Sequence, residues 1–146
     1  MTSSVSKFFL SLAAVACMVI SAQAANTPAP DIIPNFQKAC DNFATTCIAL
    51  KDRLPNVKSA ADLAAIIRQW ADANAQFIKA ATALTKAYPT PPPEFKPAID
   101  KMKATLQEKA PNFPTQLTEL TKTYQEDPTV KEAMKYFEEQ HQAAQK

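Results

Sequence analysis

The sequence predicts an all-α protein: an antiparallel up-down four-helix bundle whose third helix is kinked or broken at prolines. Three observations carry that prediction. Glycine is absent while proline occurs 12 times in 146 residues, and a sheet protein without glycine lacks the residue that tight hairpin turns want at positive φ. Alanine and lysine are the commonest residues beyond the N-terminal segment, with glutamine and leucine also present, and all four favour helix. Apolar residues then recur at three- and four-residue spacings along the chain.

The first 24 residues read as a cleavable signal peptide. Lys7 supplies a positive start, residues 8–20 form an apolar run, and Ala22-Gln23-Ala24 places small residues where a signal peptidase needs them, so cleavage falls before Ala25. The apolar run has 13 residues, short of the ~20 that a permanent membrane span requires. Ala14-Val15-Ala16-Cys17 loosely resembles a bacterial lipobox, but the usual opening leucine is missing and apolar residues continue past the cysteine. Cleavage is therefore the preferred reading, with a periplasmic or secreted destination. Residues 25–30 are expected to be a disordered leader and 31–146 a single helical-bundle domain.

Removal of the 24-residue signal peptide leaves 122 residues, an ordinary single-domain length. Lys7 is lost with it, so 15 basic side chains face 14 acidic ones, with the signs interspersed. No basic stripe exists to condense on nucleic acid or anionic lipid, which argues against both as main partners. No second apolar run approaches membrane length, so the mature chain is expected to be soluble and without a span.

The first helix is predicted over 31–54, capped by Asp31 and carrying Pro34 in its opening turn, where a missing N–H does little harm. Its apolar stripe is Ile33, Phe36, Cys40, Phe43, Cys47, Leu50 and Leu54, and Pro55 stops it. The second helix opens at Ser59, with Asp62 completing a capping box. Its stripe runs Leu63, Ile67, Trp70, Asn74, Phe77, Ala81, Leu84 and Tyr88, widened by Ile66, Ala73 and Ala80. Pro89-Thr90-Pro91-Pro92-Pro93 should then form a stiff extended corner. Phe95, Ile99, Met102 and Leu106 make one stripe of the third region, and Phe113, Leu117, Leu120 and Tyr124 make another. Pro111 and Pro114 lie between them, disfavouring helix at Ala110 and Phe113, and Asn112 is expected to recap the second half. The last helix starts at Asp127-Pro128, with Val130, Met134, Phe137, His141 and Ala144 as its stripe. Hairpin-like connections make sequence neighbours antiparallel.

Few residues carry chemistry. An exported protein with two cysteines usually pairs them, yet Cys40 and Cys47 are seven residues apart. That is ~10.5 Å of rise on a continuous helix, beyond the ~7 Å between Cα atoms that a disulfide tolerates. Either the helix is interrupted or the thiols stay unpaired on the core face. The intervening residues contain no helix breaker and Phe43 keeps the apolar phase, which favours unpaired thiols acting as small core hydrophobes. They lack the spacing of a redox pair and the ligand count of a structural zinc site.

His141 is the only histidine, and a neutral imidazole on an inner stripe is a candidate ligand for haem iron or copper, with Met102, Met134 or Cys40 as a second ligand. The layout resembles that of the periplasmic four-helix b-type cytochromes in mature size, antiparallel helices and a histidine near the end of the last one. That resemblance implies a haem held in the bundle core. In that family the other axial ligand is a methionine of the first helix. None stands there in this chain, so Cys40 or Cys47 would have to substitute, and no C-x-x-C-H is present for covalent attachment. Trp70 and Asn74, adjacent on the second stripe, form a candidate core pocket with Cys40 and Cys47; the simpler reading makes Trp70 a core aromatic and Asn74 a polar residue that sets register. No nucleophile–base pair, buried carboxylate dyad or phosphate-cradling loop is present. The functional expectation is a non-catalytic exported protein that binds a protein or envelope partner. The alternative is a carrier of haem, metal or a small apolar ligand.

Overall fold

The computed structural model describes residues 30–146. The signal peptide expected over 1–24 and the leader expected over 25–30 lie outside them, apart from Pro30. The described chain is all-helical: α1 (Ile32–Arg53), α2 (Ala60–Ala87), α3 (Phe95–Lys109), α4 (Phe113–Thr123) and α5 (Pro128–Ala144), with a short 3-10 turn, Leu54–Asn56, closing α1. Five helices thus stand where four were expected, because the third region is two helices. Among the described residues no helix is long and apolar enough to cross a membrane.

Where capping depends on local geometry alone, sequence and structure agree. Ser59 is extended (φ −144°, ψ 161°), so its hydroxyl reaches the Asp62 amide at 3.2 Å while the Asp62 carboxylate accepts from the Ser59 amide at 3.1 Å. The amide of Lys58 joins them, and together these donors hold the Asp62 carboxyl below its ordinary pKa. Ser59→Ala is expected to cost about 1 kcal/mol of stability, read as a lowered urea midpoint with an unchanged slope; an unaltered midpoint would show that the box contributes nothing. Asp127 is likewise extended and accepts from the Thr129 amide at 2.8 Å, with Pro128 in the first turn.

Two expected caps are not made. Asp31 (φ −89°, ψ −7°) is already helical, and Asn112 (φ −106°, ψ 7°) sits in a turn. Neither side chain then faces the free amides of its helix, because capping needs an extended backbone at that position. The break itself falls at Ala110 (φ −141°, ψ 48°), which Pro111 pushes out of the helical region. Phe113 also precedes a proline yet is the first residue of α4, with Pro114 in the first turn, where its missing N–H is tolerated. Pro55 does not end α1 abruptly. It is taken into the 3-10 turn, pinned by buried Leu54. The proline corner after α2 is bent at residues 89–90 and turns at 93–94, and the Pro92 carbonyl accepts from the Phe95 amide at 2.9 Å.

α2 is the centre of the molecule, packing on α1 along one side and on α5 along another, while α3 packs on α1. The side-chain pairs give the directions. Phe36 and Phe43 both reach Phe77, and Arg53 reaches Gln69, so α1 and α2 are antiparallel. Arg68–Glu132, Asp72–Tyr136 and Asn74–His141 ascend together, so α2 and α5 are parallel. Phe36–Phe95 and Asp41–Lys101 make α1 and α3 parallel as well. The extensive backbone approaches include these two parallel pairs, and not the sequence neighbours α2–α3 and α4–α5. Small side chains are the physical reason: Ala64, Ala71 and Ala75 of α2 and Ala133 and Ala144 of α5 are all buried, which lets those two backbones come close.

The expected stripes are buried unevenly. On α1 all but Ile33 are buried. On α2 the expected Ala73, Ala80 and Tyr88 are only half-buried, whereas Ala64, Ala71, Ala75 and Ile78 join the core. On α3 only Met102 is buried, with Phe95, Ile99 and Leu106 half-buried. On α4 Thr121 takes the buried place expected of Leu120, and on α5 Ala133 is buried more completely than Met134 or His141.

Candidate functional site

Three of the singled-out residues converge on the α2–α5 seam with an aromatic column. The Trp70 ring stacks on Phe137 at 4.9 Å, meets Phe113 edge-on at 6.3 Å, and its indole N–H lies near the Cys47 sulfur. Phe137 in turn stacks on the His141 imidazole at 6.0 Å. Asn74, one helical turn beyond Trp70 and buried, places its amide Nδ2 3.3 Å from His141 Nδ1, and the Gln145 amide lies 2.9 Å from Nε2. Both facing atoms are amide nitrogens, Asn74 Nδ2 and Gln145 Nε2. A neutral ring accepts at one nitrogen only, so with Asn74 donating to Nδ1 the Nε2 proton is accepted once the Gln145 amide turns its oxygen to the ring.

Those contacts decide the fit of a haem. Both ring nitrogens of His141 are engaged, and Phe137 lies nearly parallel to the imidazole. Cys40 lies in the α1–α3 seam and Met102 on α3, apart from the α2–α5 seam that holds the histidine. This chain's residues do not fit a haem iron with His141 as its ligand. Among the described residues no three His, Cys, Asp or Glu side chains gather around a point where a metal ion could sit.

Burial also lowers the His141 pKa below the ordinary 6.5. The unfolded chain then takes up a proton before the folded one does, so the stability His141 contributes is complete above its ordinary pKa and declines as pH falls below it. The urea midpoint is expected to drop between about pH 7.5 and about pH 5.5, and to drop less in His141→Gln. Identical pH dependence in the two proteins would refute the assignment.

The two cysteines sit in different surroundings on one uninterrupted helix, both free and buried. Burial, with help from the Asp41 charge and against that of Lys101, pushes the Cys40 thiol up to about 11. Burial pushes Cys47 to about 12, opposed by the Trp70 N–H. Neither is a thiolate near neutral pH, so neither is an activated nucleophile. Both should resist a maleimide in the folded protein and label fully in urea; rapid labelling of the folded protein would overturn the assignment.

The expected core pocket of Cys40, Cys47, Trp70 and Asn74 is divided between two places. Cys47, Trp70 and Asn74 belong to the packed α2–α5 column. Cys40 instead lies against a surface groove of about 470 Å³, formed where α1, the proline corner and the start of α3 meet. Pro93, Pro97 and Ala98 line it, with Gln37, Asp41, Glu94 and Lys101 around them. Sequence reasoning missed this groove, since three separate segments build it. The one available signal was Pro97 inside the first turn of a helix that follows a proline run. A second, smaller depression of about 260 Å³ lies between Leu54, Pro55 and the α4 residues Gln116, Glu119, Leu120 and Thr123.

Compared with known proteins, the chain matches no protein-family model, no curated protein and no solved structure.

Proposed function

We propose that this chain is an exported, non-catalytic helical protein of the periplasm or the extracellular space that binds a protein or envelope partner through a helical face, that of α3. One observation carries the reading: α3 bears an apolar stripe, yet Met102 is its only buried residue, and Phe95, Ile99 and Leu106 remain half-exposed. A helix with its apolar stripe only partly covered is suited to take a further surface. Three further points support it. Residues 1–24 have the charge, apolar run and small residues of a signal peptide. The buried thiols are held protonated. Taken as one interrupted column, α3 and α4 make the architecture a four-helix bundle with its third member broken at Ala110.

The test is expression with the N-terminal segment intact and a photo-crosslinking residue at Leu106, with a control at exposed Glu138 of α5. The expected result is an exported mature mass beginning at Ala25, with adducts to one envelope or protein component from position 106 and none from 138. A chain that keeps residues 1–24, adducts from neither position, or turnover of a substrate panel at enzyme-like rates would each defeat the proposal.

A further inference from the structure

The groove between α1 and α3 is a different surface from the α3 stripe, and its chemistry is more specific. Its volume of about 470 Å³ falls in the range of small-molecule sites, ~300–1,000 Å³. Its walls at Pro93, Pro97 and Ala98 have little conformational freedom to lose, so a ligand would not need to order them. Cys40, the most deeply buried lining residue, keeps its proton and so presents a small polarizable apolar surface. The body of a ligand that fits here is apolar.

The charges around the groove are unequal. Asp41 and Lys101 neutralise one another at 2.9 Å. Glu94 also lines the groove, but its carboxylate makes no hydrogen bond or ion pair among the described residues: it stands at the N-cap position of α3 without capping it, and nearby Lys96 is already paired with Asp100. One full negative charge is therefore left beside an apolar trough. The positive end of the α3 dipole opposes a cation there, but it amounts to about half a charge, which the whole charge of Glu94 outweighs. An anionic ligand would find Lys101, the cation lining the groove, already taken by Asp41 and Lys96 by Asp100.

We propose that this groove binds a small amphipathic amine, with the apolar body lying along Pro93, Pro97 and Ala98 over Cys40 and the ammonium group against Glu94. Lys101, held by Asp41, closes one side of the site and does not contact the ammonium group.

The test titrates the isotopically labelled exported chain with three matched probes: 2-phenylethylamine, 2-phenylethanol and 3-phenylpropionate. Backbone amide shifts of Cys40, Ala98 and Lys101 should saturate with the amine. It should bind about fivefold more tightly than the alcohol, a modest gain that suits a partly exposed ion pair, and the carboxylate should bind weakest. Glu94→Gln should bring the amine down to the level of the alcohol and leave the alcohol unchanged. Ala98→Trp should fill the groove and remove binding of both while helical circular dichroism persists. If that variant fails to fold, the exposed Glu94→Gln decides alone. Saturable shifts confined to other residues, equal binding of all three probes, or amine binding untouched by Glu94→Gln would each overturn the assignment.

Discussion

Trp70→Ala is expected to be the most damaging single truncation in this protein, lowering the free energy of unfolding by about 3–5 kcal/mol. The side chain is 1% exposed and joins three helices: it stacks on Phe137 of α5, meets Phe113 of α4 edge-on and lies near Cys47 of α1. Its removal forfeits the buried area, leaves a cavity that three separate backbones cannot easily close, and breaks two aromatic contacts worth ~0.5–1.5 kcal/mol each beyond area. An effect of that size is a large share of the total stability of a domain, typically ~5–15 kcal/mol, so the variant should be partly unfolded at 37 °C. Urea unfolding followed by circular dichroism measures it, with Trp70→Phe as the companion. Phenylalanine keeps the stack on Phe137 and should recover more than half of the loss. A Trp70→Ala midpoint within error of the parent would mean that the column does not hold the helices together.

The second large effect comes from making a side chain bigger. Ala133 has no exposed surface and lies on α5, which packs closely on α2, where Ala64, Ala71 and Ala75 are buried as well. Ala133→Leu adds three carbons where packed neighbours leave no room for them, and overpacking of this kind costs about 1–3 kcal/mol. The helices must separate to admit it, which also pulls Asn74 away from His141. The midpoint should therefore fall, and the pH dependence attributed to His141 should shrink in the same variant. On the exposed surface Ala143→Leu, nearly three turns further along α5, should change the stability by no more than about 0.5 kcal/mol. Equal tolerance at the two positions would contradict the close α2–α5 seam.

How much of this was legible in the sequence follows from the range of each interaction. The Ser59–Asp62 box and the Asp127–Pro128 start were readable because capping involves residues two or three apart. Asp31 and Asn112 have equally suitable side chains and do not cap, since a turn set by the surrounding chain fixes their backbone angles. The α1 stripe was readable from its large apolar residues. The extra face of α2 was not, because alanine is at once a good surface helix former and the side chain that permits close packing. For the candidate site the division is sharper. Cys40, Cys47, Trp70, Asn74 and His141 could each be singled out, but Asn74 and His141 are 67 residues apart in sequence, and nothing local states that they meet.

From the sequence alone one reads that residues 31–146 are helical and where most of the helices begin and end, with the spacing of Cys40 and Cys47 favouring unpaired thiols. Those properties rest on backbone hydrogen bonds, proline sterics and a 3.6-residue period, all satisfied within a few residues. The packing of the helices sets α5 parallel on α2 and α3 parallel on α1, brings the Asn74 and Gln145 amides to His141, and leaves Cys40 beside a groove lined by prolines. Those outcomes depend on which faces can approach most closely, a property of small side chains summed over several helices at once.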